Sequence, residues 1–112
     1  MSVARAVTDE TFEAEVRRSL RPVIVEYWAQ WCPPCRLVAP VLDQIAADYA
    51  GQVDLVTINV DENPVAAARY RILAVPTVSV FAGGDVVKQL TGARSKAAFL
   101  RELGEFLGPP PE

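Results

Sequence analysis

Histidine is missing from this sequence altogether. Its absence removes imidazole acid–base chemistry and the commonest ligand for transition metals. Cysteine occurs only twice in 112 residues, and a chain of that length can build one hydrophobic core without disulfide staples or a structural metal. No apolar run approaches the roughly 20 residues that span a bilayer, so no membrane contact is expected. Basic clusters are also lacking and the formal net charge is −3, which argues against a nucleic-acid surface. The opening residues Met1-Ser2-Val3-Ala4-Arg5-Ala6 have no apolar signal core, and the expected location is cytoplasmic. What is present, 51% hydrophobic and 22% charged residues, is ordinary for a folded soluble protein; the chain is read as one domain spanning 1–112 and is expected to be a monomer.

Along the chain, Val3 to Val7 reads as a short first strand. Thr8 reads as an N-cap with Asp9 and Glu10 in the first turn behind it, and Phe12, Val16 and Leu20 recur at helical spacing until Pro22. Val23 to Ala29 is β-branched and aromatic, apolar on both faces apart from Glu26, as a central parallel strand should be. A second helix opens at Cys32, with Pro33 and Pro34 in its first turn. Its buried side is marked by Leu37, Val38, Val41, Leu42, Ile45 and Tyr49, and Pro40 inside it predicts a kink. Val53 to Val60 is another apolar strand, followed by a short helix from Asp61–Pro64 to about Tyr70. Thr77 to Phe81 and Val86 to Leu90 form a hairpin about Ala82-Gly83-Gly84-Asp85. Ser95 caps a last helix carrying Ala98, Phe99, Leu103 and Leu107. The core therefore runs from about 3 to 107, and 108–112 is a proline-rich frayed tail. The order βαβαβαββα gives an α/β fold with a mixed central sheet and helices on both faces.

The chemistry lies in Cys32 and Cys35. A Cys-x-x-Cys after an apolar strand and at the start of a helix puts the first thiol at the positive end of the helix dipole, which favours thiolate. Thiolate is the attacking species in disulfide exchange. Cys35, one turn on, is near enough to attack a mixed disulfide, so Cys32 is the nucleophile and Cys35 the resolving residue. The bland alternatives are half a zinc site or two inert thiols. Structural zinc takes four ligands, and no histidine is there to complete the set, so no metal is expected. Inert thiols would have no reason to flank two prolines at a helix start.

Trp28-Ala29-Gln30-Trp31-Cys32-Pro33-Pro34-Cys35 resembles the active-site segment of the thioredoxin family. The likeness extends from about Val3 to Leu107 and includes Phe12, Ala39-Pro40, Asn59-Val60-Asp61, Asn63-Pro64, Val75-Pro76-Thr77, Gly83-Gly84 and Gly92. The fold this resemblance implies is the thioredoxin fold. It also implies that Pro76 is a cis-proline lying against the cysteines; cis forms are only about 5–6% of folded X-Pro bonds, so that expectation rests on the likeness. Val75 would offer its backbone to a substrate strand. Trp31, Pro34, Val75, Pro76, Gly92 and Ala93 would form the apolar surface that docks substrate. Taken alone, Gly92 is equally a plain strand-end glycine. Trp28 reads as core packing beneath the site, a structural support as Pro40 is.

Three positions depart from the family pattern. Pro-Pro stands between the cysteines where Gly-Pro is usual, so the Cys35 amide is left as the main backbone donor to a Cys32 thiolate. Pro33 is also pre-proline, which disfavours helical ψ there. Glu26 replaces the usual buried aspartate behind the second cysteine; burial should raise its pKa, letting it act on the Cys35 proton as a general base. Thr57 replaces a lysine near that acid. The resemblance implies a thioredoxin-type protein-disulfide reductase with no bound cofactor beyond its redox-active disulfide Cys32–Cys35. Its expected partners are disulfide-containing proteins and a flavin- and NADPH-dependent thioredoxin reductase. The alternatives are a more oxidising oxidase or isomerase on the same fold, or mainly a binding module.

Overall fold

Alternation along the central strands sorts the side chains into two layers. In β2 (Val23–Trp28), Val23, Val25 and Tyr27 pack on one side of the sheet with Phe12, Val16 and Ala66. Ile24 packs on the other, with Val38, Leu42 and Ile45 from one helix and Phe99 and Leu103 from another. Helical elements therefore cover both faces, as expected. The structure is a computed structural model that describes residues 4–110. Val3, expected to open the first strand, and Pro111-Glu112 of the expected tail lie outside the described residues.

The remaining elements are β1 (Arg5–Ala6), α1 (Pro33–Asp48), β3 (Asp54–Asn59), α2 (Pro64–Arg69), β4 (Thr77–Ala82), β5 (Asp85–Thr91) and α3 (Lys96–Leu103). The five-stranded sheet has the order β1-β3-β2-β4-β5. β1, β3 and β2 pair in parallel, β4 pairs antiparallel with β2, and β5 pairs antiparallel with β4. The hairpin turn uses Gly83 and Gly84 at φ of 62° and 89°, the left-handed pair that a tight two-residue turn requires. A Cβ on Gly84 would also meet the Arg17 carbonyl oxygen at 3.0 Å. Among the described residues no helix is long and apolar enough to cross a membrane.

The first helical segment differs from the sequence expectation. It is a π-helical turn, Glu13–Arg17, with the Arg18 amide donating to the Glu13 carbonyl at 3.0 Å. Phe12 and Val16 are buried, so the periodicity holds that far. Leu20 is fully exposed, because the chain has already left the helix to reach Pro22 and the start of β2. Asp9 does not serve its own helix either. Its carboxylate accepts from the amides of Val65 at 3.1 Å and Ala66 at 2.8 Å, capping α2 from 57 residues away. Leu37, expected on the buried side of α1, is exposed; Val38, Leu42, Ile45 and Tyr49 fill the core face, and Leu37 lies on the flank beside Pro33 and Pro34. The tail begins tethered, with the Gln52 side-chain amide donating to the Pro109 carbonyl at 2.9 Å.

Tyr70, at the end of α2, forms an aromatic trio with Phe12 and Phe81, with centroids 5.0–5.5 Å apart. Each such pair contributes about 0.5–1.5 kcal/mol beyond its burial. The trio fixes the point from which the chain leaves α2 for Pro76.

Candidate active site

β2 delivers the chain to a short loop, Ala29-Gln30-Trp31, and the loop delivers it to α1. Cys32 is the N-cap of that helix, in extended conformation at φ −105° and ψ 98°. The two cysteines are joined in a disulfide with a Cα–Cα distance of 5.4 Å. The Cys35 amide donates to the Cys32 sulfur at 3.2 Å. Pro33 and Pro34 occupy the first two helical positions and have no N–H, so the amide expected to be left as donor is the one engaged. The pre-proline restriction on Pro33 does not displace the helix start. Pro40 lies inside α1, which runs unbroken past it. Each cysteine is only 3% exposed, so a reacting partner must come into close contact to reach Cys32.

Around the sulfurs pack Ala29, Trp28, Val60 and Val75. The Val75–Pro76 peptide bond is cis, and Pro76 is buried. The Gly92 amide donates to the Pro76 carbonyl at 2.8 Å, joining the end of β5 to the proline loop. Gly92 has φ of 100° with open space at its missing Cβ, so its backbone conformation is what excludes other residues. Ala93 follows, exposed. Trp31 is 67% exposed, and its indole N–H donates to Asp61 at 2.7 Å. Asp61 is itself held, its amide donating to the Asn59 side chain at 2.9 Å.

Behind Cys35 is a cleft of about 270 Å³ whose lining includes Glu26, Trp28, Ala39 and Thr57. Trp28 is half-buried, a packing residue that also forms the cleft wall. Glu26 is 3% exposed and pairs across the parallel register with Thr57. Burial of the carboxyl, reinforced by the charge of Asp43, raises the Glu26 pKa from 4.5 to about 7. Asp43 is the contributor that sequence reasoning overlooked. The signal was there: Cys35, Ala39 and Asp43 are spaced by four, which sets them on one face of α1. The bond from Trp31 to Asp61 had no local signal, since 30 residues separate the partners.

The fold thus brings Cys32, Cys35, Trp28 and Val75 together, with Pro76 next in the chain after Val75, sets Glu26 in the cleft behind, and ties Gly92 to the proline. This arrangement can store two electrons in a dithiol, stabilise a thiolate at Cys32, and hold a proton on Glu26 near neutral pH. No group of three or more metal-ligating side chains occurs among the described residues.

Comparison with known proteins bears directly on this site. The thioredoxin family model matches residues 3–105. The thioredoxin of Streptomyces clavuligerus is 50% identical over 99 residues, covering 88% of this chain and 92% of that protein. Thioredoxin 1 of Synechococcus elongatus is 49% identical over 107 residues, covering 96% of this chain and all (100%) of that one. A bifunctional thioredoxin reductase/thioredoxin of Mycobacterium leprae is 44% identical over 101 residues, which make up 90% of this chain and 22% of that protein.

Proposed function

The chain belongs to the thioredoxin family and is a protein-disulfide reductase; on that premise we propose how its residues divide the work. The Cys32 thiolate attacks one sulfur of a substrate disulfide, forming a mixed disulfide and expelling the other substrate sulfur as thiolate. Cys35 then attacks the Cys32 sulfur, closing the Cys32–Cys35 disulfide and releasing the second substrate thiol. Two electrons pass to the substrate. Glu26 takes the Cys35 proton before that second attack, with the cleft leaving room for a water between them.

Trp31, Pro34, Val75, Pro76, Gly92 and Ala93 receive the substrate, with the Val75 backbone pairing with its extended segment. The observation that carries the reading is the Cys32–Cys35 pair at the N-terminus of α1, with Cys32 itself as N-cap.

The oxidised pair is recharged by a flavin-dependent thioredoxin reductase using NADPH. Support comes from the M. leprae relative, whose name joins both activities in one chain. We place the protein in the cytoplasm as a monomer that carries electrons for redox homeostasis, since a reductase serves where a reductant recharges it.

Two assays test this. The wild type should reduce insulin disulfides with dithiothreitol or with a thioredoxin reductase as donor. Reduced Cys35→Ser should accumulate a covalent complex with a disulfide substrate through Cys32, and Cys32→Ser should not. Absence of insulin turnover with both donors, or trapping that survives Cys32→Ser, would defeat the reading.

A further inference from the structure

The segment Arg71–Val75, between α2 and the cis-proline, is fixed at both ends and presents one large apolar side chain to solvent. At its start, the Ile72 amide donates to the Ala67 carbonyl at 2.8 Å, and the Ile72 side chain packs on the core. At its end, Val75 packs on the cysteine pair, and the Thr77 hydroxyl donates to the Ala74 carbonyl at 2.6 Å. Between these anchors Leu73 is 95% exposed. Exposure alone signifies little: Leu20 is equally bare, and single apolar surface residues are common. What separates Leu73 from Leu20 is its position. It stands two residues before Val75, less than about 8 Å along the backbone, and its anchored neighbours prevent the loop from folding it inward.

We propose that Leu73 is a specificity-determining residue, selecting substrates that carry apolar side chains beside the disulfide to be reduced. A segment lying along Val75 to present its disulfide to Cys32 extends over Leu73, which removes apolar surface from water on both partners. Trp31 offers a second apolar surface beside Cys32. Because the loop is already ordered, docking loses little conformational freedom there. The contribution is the same in the bound ground state and the transition state, so it acts on KM and leaves kcat alone. This selection rests on the disulfide-reductase reading above.

The test uses two synthetic peptides, each closed by one disulfide, with leucine or serine at the residues flanking the cysteines. Wild type should show a KM about fivefold lower for the leucine peptide, on the order expected for partial burial of one leucine. Leu73→Ser should abolish that preference with kcat unchanged, and Leu73→Met should retain it. Reduction of the Cys32–Cys35 disulfide by dithiothreitol should be unaffected in every variant. A leucine preference that persists in Leu73→Ser, or a kcat that falls alike for both peptides, overturns the proposal. Failure of wild type to reduce either peptide would instead bring down the reductase reading, and the selection with it.

Discussion

The backbone amide of Cys35 is the donor that the structure directs at the Cys32 sulfur, at 3.2 Å, with two prolines between them that have no N–H to add. A helix N-cap normally accepts from the second or third helical amide. Here the second is Pro34, so only the third remains.

Pro34→Ala therefore restores a donor. In the reduced protein the Cys32 thiol pKa should fall by about one unit, or about 1.4 kcal/mol, at the lower edge of what a hydrogen bond to a charged group supplies. Thiolate absorbance followed across pH measures it. An unchanged or higher pKa would mean that the missing donor is immaterial.

Glu26 makes stability depend on pH in the direction opposite to a salt-bridged carboxylate. Its folded pKa of about 7 lies above the ordinary 4.5, so between these values the folded state holds more protons than the unfolded. Stability is complete below about pH 4.5 and declines as pH rises towards 7, by up to about 3 kcal/mol in total. Glu26→Gln should match wild type at pH 4.5 and exceed it by that amount at pH 8, as read by urea denaturation. The same variant should lose an inflection near pH 7 in the rate of the resolving step. Coincident pH–rate profiles for the two proteins would remove Glu26 from proton transfer.

Much of this site was legible in the sequence, and the reasons differ from residue to residue. The cysteines, the strand before them and the helix after them are local features, carried by spacing and side-chain type. The cis bond at Pro76 came from resemblance, since a Val-Pro dipeptide does not announce it. Leu20 and Leu37 misled because periodicity ranks residues by spacing and cannot tell where a helix stops or where its buried stripe ends. Asp9 was hidden for another reason. Its hydrogen bonds are to α2, and a cap supplied from a distant segment leaves no pattern near the helix it caps.

That distant cap gives a stability prediction. Asp9→Ala removes two acceptors from the first turn of α2 and should cost about 1–2 kcal/mol. Asp9→Asn, which keeps an acceptor oxygen, should cost less. Chemical denaturation distinguishes them, and equal losses in both would point to the charge rather than the hydrogen bonds.

Arg71 gives one in the other direction. It adopts φ of 55° directly after α2, the left-handed position at which helices commonly end on glycine. Arg71→Gly should raise stability by about 0.5–1 kcal/mol, the relieved backbone strain exceeding the added freedom of the unfolded chain. A thermal melt showing a loss instead would mean that the arginine side chain makes a compensating contribution.

Cys32 and Cys35 are expected to form a reducing couple despite the Pro-Pro between them. Equilibrating that couple against glutathione buffers tests it most directly, with thiol and disulfide forms separated by mass. For reference, thioredoxin stands at about −270 mV and protein disulfide isomerase at about −180 mV, and about 30 mV corresponds to about 1.4 kcal/mol. The prediction is a potential nearer the thioredoxin value. A potential close to that of the isomerase would contradict this and assign the chain to disulfide formation or rearrangement.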